Sequence, residues 1–249
     1  MLFEENALTV TELSKSYGTF IVTNEISFNL GKGEALGIIG PNGAGKTTLF
    51  NLISGTTNSD KGSIQYFGQD ITKVSARQRC HLGITRSFQV PQPFSGLTTY
   101  ENVLVAAAFG QEISEAEAKD KAVEALELTS LTSKARQLAG SLTLLDRKRL
   151  ELARSIATAP RLLLLDEIAG GLTETECNEL IELIMTIKNN GVSIIWIEHV
   201  LHALLSVVDR IMVLDFGQKI TEGKPEDIMK SPEVSSIYLG LDEENIDGQ

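Results

Sequence analysis

Cysteine is scarce in this chain of 249 residues, which contains only Cys80 and Cys177. The two cysteines are far apart and form no zinc-type pair, so we expect two free thiols, as is usual in a reducing compartment. Long apolar runs are also missing, and the sequence therefore predicts no transmembrane helix. The opening MLFEENALTVTEL has neither the positive residues nor the apolar run of a secretory signal.

Basic residues are outnumbered by acidic ones, 22 Lys and Arg against 33 Asp and Glu, which leaves a formal net charge of -11. Nucleic-acid-binding proteins usually carry a basic surface, so binding to DNA or RNA is not expected. An acidic protein has no general attraction to anionic lipid headgroups either. Any association with a membrane is therefore expected to occur through a protein partner.

Strand and helix patterns alternate in the first and last thirds of the chain. Strands are predicted over 7–13, 25–30, 33–40, 63–68, 161–167 and 192–199, with a helix over 174–189 and a hairpin over 209–220. Dense apolar strands that alternate with helices predict an α/β fold with a mostly parallel sheet.

The middle third has helical spacing and is rich in Ala, Glu, Lys and Leu. Helices are predicted over 98–110, 114–128 and 144–158, with Thr99 and Ser114 as N-caps. We interpret the chain as a single domain, 1–249. Its parts are an α/β core at 1–90 and 159–240, a helical subdomain at about 91–158 and a frayed acidic tail at 241–249.

A glycine-rich segment follows the strand 33–40 and fits G-x-x-x-x-G-K-[ST] at every fixed position. Glycines let successive backbone N–H groups point into one anion-sized hollow, and the helix that begins there favours phosphate. A glycine-rich turn with a chance lysine is the alternative, but the strand before the loop and the helix after it favour ATP binding. The predicted ATP-binding residues are Gly40, Pro41, Asn42, Gly43, Ala44, Gly45, Lys46, Thr47 and Thr48.

Two carboxylates, Asp166 and Glu167, end the second dense apolar strand. Ligands of open α/β sheets bind at this carboxyl edge. Asp166 is predicted to hold Mg²⁺, with the Thr47 hydroxyl as a further ligand, and Glu167 to act as general base on the attacking water. A solvated strand end is the alternative, and the phosphate loop makes the functional interpretation the better one.

His199 ends the third dense strand and is predicted to contact the γ-phosphate; a helix cap or a core position is the alternative. His199 and His202 are spaced i, i+3, but no further ligand cluster supports a metal site there. His202 and His81 are expected to lie at the surface or to serve packing.

The motifs in this order resemble those of the ABC ATPase family along nearly the whole chain. They are GPNGAGKTT at 40–48, TRSFQ at 85–89, LTLLDRKRLELARS at 142–155, LLLLDE at 162–167 and His199. The sequence is most similar to ATP-binding subunits of branched-chain amino-acid importers, a likeness carried by 87–107, 147–154 and 215–240.

The resemblance implies a P-loop NTPase core with a mostly parallel sheet, an antiparallel β subdomain and an inserted helical subdomain. It implies that Tyr17 stacks on adenine, with a plain strand-edge tyrosine as the alternative. It implies that Gln89 contacts both Mg²⁺ and the attacking water. The stretch from Gln89 to about Tyr100 would form part of the groove for a transmembrane permease subunit, with a solvated loop as the alternative.

Several positions depart from the family pattern. The usual Leu-Ser-Gly-Gly-Gln at a helix start, which meets the partner subunit's nucleotide, is here Leu142, Thr143, Leu144, Leu145 and Asp146. Thr143 and Asp146 can still cap the helix, but both glycines are leucines, and Asp146 would add like charge if it faced a phosphate. Ile168 replaces the usual Pro, and Gly171-Leu172-Thr173 replaces the usual Asp-bearing loop.

The resemblance implies an ATP-hydrolysing subunit of an ABC importer on the cytoplasmic face of the membrane, with ATP and Mg²⁺ bound. The implied partners are permease subunits, a second ATPase subunit, identical or different, and indirectly an extracytoplasmic solute-binding protein. Two alternatives stay open: a non-catalytic, ATP-binding regulatory subunit, and an ABC ATPase outside transport. A GTPase is disfavoured because no Asn-Lys-x-Asp segment is present.

Overall fold

The computed structural model describes residues 6–231 and residue 234, and the acidic tail predicted at 241–249 lies outside this part. The strands are β1 Asn6–Tyr17, β2 Phe20–Gly31, β3 Ala35–Ile39, β4 Lys61–Tyr66, β5 Gln69–Asp70, β6 Ile84–Arg86, β7 Leu162–Asp166, β8 Ser193–Ile197, β9 Arg210–Asp215 and β10 Gln218–Gly223. The α-helices are α1 Lys46–Ser54, α2 Ala76–His81, α3 Thr99–Gly110, α4 Glu115–Leu128, α5 Leu144–Ala157, α6 Glu174–Asn189, α7 Leu201–Leu205 and α8 Pro225–Ile228. Within these residues no helix is both long and apolar enough to span a bilayer.

The main sheet has six strands in the order β10-β9-β3-β8-β7-β6, and only β10 runs antiparallel to its neighbour. The three dense apolar strands of the sequence are β3, β7 and β8, each with every residue buried. Alternate residues of β3 join different cores: Leu36 and Ile38 face the core around α1, while Ala35 and Ile39 face α6 and α7. Burial on both faces explains the continuous apolar runs.

The second sheet is antiparallel, in the order β2-β1-β4-β5. Its long hairpin extends beyond the predicted strands, because β1 continues to Tyr17 and β2 already begins at Phe20. These two aromatic residues are paired across a turn of two residues, Gly18 and Thr19. The two-residue turn, with Gly18 at a positive φ of 62°, is typical of a tight hairpin.

The three central helices, α3, α4 and α5, pack around a cluster of their own. Ser114 caps α4 as predicted, but the prediction of Thr99 as a cap is wrong by one residue. The Thr98 hydroxyl accepts the Glu101 N–H at 3.2 Å, and the Glu101 carboxylate accepts the Thr98 N–H at 2.7 Å. Thr99 already has helical backbone geometry and is fully buried. Helices α3 to α5 all lie within the segment 91–158, which we retain as a proposed subdomain.

The segment between α1 and the middle of the chain holds β5, α2 and β6, which the sequence patterns did not predict. Helix α2 begins with a capping box of Ser75 and Gln78. Its buried Arg79 donates hydrogen bonds to five backbone carbonyls of α1 and of the loop before α2. These bonds anchor the C-terminal end of the helix that begins at the phosphate loop.

Candidate functional site

The predicted phosphate loop connects β3 to α1, as a phosphate-binding loop requires. A Cβ on Gly40 would lie 2.0 Å from the Leu214 carbonyl oxygen, so no other residue fits there. Gly45 has a φ of 96°, and a Cβ on it would lie 2.5 Å from the Val22 carbonyl oxygen. The glycines are therefore required both by the backbone conformation and by the close approach of β2 and β9.

Lys46 is 7% exposed and lies at the first position of α1. Its ammonium donates to the carbonyl oxygens of Gly40 at 2.6 Å and Pro41 at 2.9 Å. Burial lowers the pKa of Lys46, and the charges of Glu167 and Asp166 oppose that effect. The lysine thus lies inside the loop and within the field of both predicted carboxylates.

A cleft of about 240 Å³ opens at the loop and is lined by Phe20, Val22, residues 42–48 and Glu167. Phe20 is 68% exposed and was missed by the sequence analysis; its pairing with Tyr17 across a two-residue turn is the signal that could have found it. Tyr17 is 52% exposed and does not line this cleft. Its ring lies 5.6 Å from the Lys15 ammonium. Of these two aromatic residues, Phe20 is therefore the one that lines the cleft at the loop.

Asp166 ends β7 and is 6% exposed. Its Oδ2 accepts a hydrogen bond of 2.6 Å from Arg86 at the end of the neighbouring strand β6. Arg86 also donates to Asn51 Oδ1 on α1 at 2.5 Å. Neither Arg86 nor Asn51 was predicted as a site residue, because only Gln89 of the motif at 85–89 was assigned a role and Asn51 lies outside the motifs.

Glu167 directly follows β7 and has a positive φ of 46°, an uncommon conformation for a residue with a side chain. Its N–H donates to the Ile197 carbonyl at 2.8 Å, which fixes the turn against the end of β8. Its Oε2 accepts a hydrogen bond from Gln89 Nε2, and its Oε1 lies 3.0 Å from His199 Nε2. Three residues predicted from separate parts of the sequence thus meet at one carboxylate.

His199 is neither a helix cap nor a core residue. Its side chain is 44% exposed, and the cap position of α7 is Val200. The neighbouring Glu198, which the sequence analysis did not select, is only 2% exposed. The Glu198 carboxylate accepts backbone N–H groups from Ala169 at 2.9 Å, His199 at 2.9 Å and Val200 at 3.2 Å. Glu198 therefore connects the loop after β7 to the loop after β8 and helps to fix the position of Glu167 relative to His199.

The predicted partner-site residues, 142–146, lie at the start of α5. The Thr143 hydroxyl accepts the Asp146 N–H at 3.3 Å and donates to Asp146 Oδ2 at 2.8 Å. Asp146 is 3% exposed, and its carboxylate also accepts from Lys134, with Arg149 at 3.9 Å. The carboxylate therefore turns inward, and the concern that it would repel a phosphate does not apply.

The two leucines at this helix start differ in exposure. Leu145 is 8% exposed and packs inward, whereas Leu144 is 44% exposed. A Cβ on Gly171 would lie 3.3 Å from Leu144 Cδ2, so this side chain lies against the loop that follows Glu167. An apolar side chain thus stands beside the first N–H groups of α5.

A family model described as ABC transporter matches residues 23–170, more than half of the chain. The chain belongs to the ABC transporter family. A probable branched-chain amino acid transport ATP-binding protein, LivG, from Archaeoglobus fulgidus is 34% identical over 96% of this chain and 98% of its own length. The lipopolysaccharide export system ATP-binding protein LptB from Haemophilus influenzae is 31% identical over 94% of this chain and 97% of its own.

The solved structures support the same assignment. The ADP conformation of MJ1267, an ATP-binding cassette of an ABC transporter, matches with a TM-score of 0.86 and 30% identity. The match covers 94% of this chain and 99% of that chain. This protein is therefore an ABC transporter ATPase with the cassette fold, and the predicted fold class is confirmed. The phosphate loop, β6 and β7 all lie within the matched residues.

Proposed function

We propose that this chain is the ATP-hydrolysing subunit of an ABC importer that takes up branched-chain amino acids or related small solutes. The observation that carries the proposal is the position of Glu167. It lines the phosphate-loop cleft while Gln89 and His199 hold its two carboxylate oxygens. A carboxylate that faces the phosphate site and is fixed on both oxygens is suited to accept a proton from an attacking water.

The roles of the residues follow from their places. The backbone N–H groups of residues 40–48, the N-terminus of α1 and Lys46 bind the phosphates of ATP. Tyr17 and Phe20 supply apolar ring faces for the adenine. Glu167 removes a proton from the water that attacks the γ-phosphate, and Gln89 and His199 orient that water and the γ-phosphate. The products are ADP and inorganic phosphate.

Oxygen donors near the loop fit a magnesium ion. The Thr47 hydroxyl is exposed at the first turn of α1, and Gln89 uses its amide nitrogen on Glu167, which leaves its carbonyl oxygen available. Asp166 has Oδ1 without a protein hydrogen-bond partner in the described residues. We propose that these three residues hold Mg²⁺ together with the phosphates. Bound there, it would neutralise charge on the β- and γ-phosphates.

The names of the relatives support the solute class. The proteins LivG from Archaeoglobus fulgidus and Salmonella typhimurium, 34% and 35% identical to this chain, are both described as branched-chain amino acid transport ATP-binding proteins. The LptB protein, at 31% identity, is described as part of a lipopolysaccharide export system. Because the two identities are so close, a test on solutes is needed to choose between them.

The proposed partners are transmembrane permease subunits, a second ATPase subunit and, indirectly, an extracytoplasmic solute-binding protein, with this chain at the cytoplasmic face of the membrane. The surface at and after Phe88 supports a permease contact. Phe88, Val90 and Phe94 are each at least half exposed there. Exposed apolar side chains grouped on one short segment are typical of an interaction surface.

We further propose that the second ATPase subunit is a different protein. A related cassette, MJ0796, has been solved as a dimer bound to ADP and Pi, which agrees with pairing of cassettes. In a head-to-tail pair, the α5 start of this chain would face the partner's nucleotide, and Leu144 would stand where backbone must approach a phosphate closely. This chain's own loop then forms the competent site with a normal partner, and the opposite site turns over slowly.

Nucleotide binding is the first test. Lys46→Ala should remove most Mg-ATP affinity of the purified chain, whereas Lys73→Ala, at an exposed loop position, should leave it unchanged. Binding of ATP without release of phosphate, even with a proper partner present, would replace the proposal with a regulatory ATP-binding subunit. The absence of any Mg-ATP affinity in the unmodified chain would remove the proposal altogether.

The complex provides the second test. In reconstituted vesicles with permease and partner subunits, Glu167→Gln should abolish most ATP-driven uptake, while the matching substitution in the partner should have a much smaller effect. Equal losses from the two substitutions would contradict the proposed asymmetry. Uptake of leucine, isoleucine and valine, with a lipid substrate as the comparison, would test the solute class.

A further inference from the structure

Arg86 joins three parts of the nucleotide site, although only Gln89 of its motif, TRSFQ at 85–89, was assigned a role. Arg86 is the last residue of β6, and its side chain is 9% exposed. Its Nη2 donates to Asp166 Oδ2 at 2.6 Å, and its Nη1 donates to Asn51 Oδ1 on α1 at 2.5 Å. One guanidinium therefore connects the end of β7 to the helix that follows the phosphate loop.

The guanidinium is held in place from other directions as well. Its central carbon lies 5.5 Å from the centroid of the Phe50 ring and 5.4 Å from that of Phe88. Contacts of a cation with aromatic faces are stabilising, and the planar fork of Arg loses little freedom when both of its arms are bonded. A side chain fixed in this way is expected to stay in place when a nucleotide binds.

The two oxygens of the Asp166 carboxylate differ in their contacts. Oδ2 is bonded to Arg86, and Oδ1 has no protein partner among the described residues. The backbone N–H of Asp166 also donates to the Ser87 hydroxyl at 3.3 Å, which connects the end of β7 to the residue that follows β6. With Oδ2 held, rotation of the carboxylate is restricted, and Oδ1 is the oxygen left for a metal.

Resting on the function proposed above, we propose that Arg86 is a positioning residue that orients Asp166 for Mg²⁺ binding. It holds Oδ2 and presents Oδ1 toward the metal that accompanies the nucleotide. A carboxylate as buried as this one is costly to keep charged without a cation beside it. Without Arg86, the Asp166 carboxylate would be free to rotate away from the site, and the metal would lose a ligand.

The positive charge of Arg86 acts in the opposite sense, since it repels a second cation nearby. The guanidinium is already neutralised by the carboxylate that it holds, so this repulsion is weaker than the loss of an oriented, charged ligand. Whether removal of Arg86 weakens or strengthens Mg²⁺ binding therefore shows which of these two effects is larger. Outer residues that hold a metal ligand typically change metal affinity by about 10- to 100-fold.

The test measures metal dependence instead of turnover. The full chain is mixed with a fluorescent, non-hydrolysable ATP analogue and titrated with Mg²⁺ to obtain the concentration at half-maximal binding. In Arg86→Met this midpoint should rise about tenfold, equivalent to about 1.4 kcal/mol. Affinity for the analogue in excess EDTA should stay within about twofold, since Arg86 does not contact the phosphate loop.

The matched control is Arg161→Met, the same substitution just before the opposite end of β7. The Arg161 guanidinium lies 3.5 Å from the centroid of the Phe67 ring and does not contact Asp166. Asn51→Ala removes the second anchor of Arg86 without exposing a buried charge, and it should raise the midpoint about threefold, near 0.6 kcal/mol. If Arg86→Met does not fold, as judged by its thermal transition, Asn51→Ala decides alone.

An unchanged or lowered Mg²⁺ midpoint in the folded variants would overturn the inference. A midpoint that rises equally in Arg161→Met would also overturn it, because the effect would then be general. The proposed function fails separately, namely if the unmodified chain shows no Mg²⁺-dependent nucleotide binding at all.

Discussion

Replacement of Arg79 by methionine is expected to destabilise the protein strongly, although Arg79 lies outside the nucleotide site. Arg79 is 1% exposed, and no carboxylate of the described residues forms a hydrogen bond or ion pair with it. Burial lowers the pKa of Arg79 to about 10, against the opposing charge of Asp70, so the group is charged at neutral pH. Its partners are five carbonyl oxygens, those of Leu52, Ile53, Ile71, Thr72 and Val74, at 2.6 to 3.0 Å.

The expected magnitude follows from what those carbonyls lose. Two of them, Leu52 and Ile71, also accept a backbone N–H from Gly55 and Val74. The other three lose their donor, and an unsatisfied buried acceptor costs about 1 kcal/mol or more. We therefore expect Arg79→Met to lower the free energy of unfolding by about 3 kcal/mol. For a chain of this length that corresponds to a Tm about 6–12 °C lower.

Thermal unfolding followed by circular dichroism measures this loss. Arg77→Met is the matched control, since Arg77 lies two residues away in α2 and is exposed. Its Tm should change by less than about 2 °C. A buried charge can cost more in desolvation than its hydrogen bonds return. A neutral or raised Tm for Arg79→Met would show that this is the case here and would refute the reasoning.

Three further predictions concern the site and the core. His199→Ala should slow ATP hydrolysis by about 100-fold and change nucleotide affinity by less than about twofold. A loss of affinity without a slower hydrolysis step would contradict the role of His199 in orienting the water and the γ-phosphate. Tyr17→Ala should weaken nucleotide binding about fivefold, whereas Phe109→Ala, 76% exposed on α3, should leave it unchanged; equal effects would exclude adenine stacking by Tyr17. Burial raises the pKa of Glu151 in the folded state. The stability that this group contributes is fully present below the ordinary carboxyl pKa. It is lost as pH rises through the raised pKa of the folded state. The Tm of Glu151→Gln should therefore rise relative to the unmodified protein as pH increases from the ordinary carboxyl pKa toward neutrality, and the same trend in Glu182→Gln, at an exposed position of α6, would contradict this.

Elements with a strong periodic pattern could be predicted from the sequence. Strands β3, β7 and β8 were found because burial on both faces requires an unbroken apolar run. Strand β6, with three residues, and β5, with two, are too short to show any period. Choosing Thr99 instead of Thr98 as a helix cap is an error of one residue, because both can supply a hydroxyl and only backbone geometry distinguishes them.

The phosphate loop could be predicted from local sequence alone. A strand, a glycine-rich turn and Lys46 are consecutive, so local backbone geometry and a helix start suffice to form an anion site. Local sequence also located Asp166 and Glu167, because an apolar strand that ends in acids is a local pattern.

The side chains that contact those residues come from distant parts of the chain and could not be predicted. Arg86 reaches Asp166 because β6 and β7 are parallel neighbours in the sheet, although 80 residues separate them. Glu198 joins two loops for the same reason, since β7 and β8 end side by side. The inward turn of Asp146 depends on Lys134, which lies in another segment. Strand order and side-chain direction arise from packing between distant segments, and no local pattern encodes either of them.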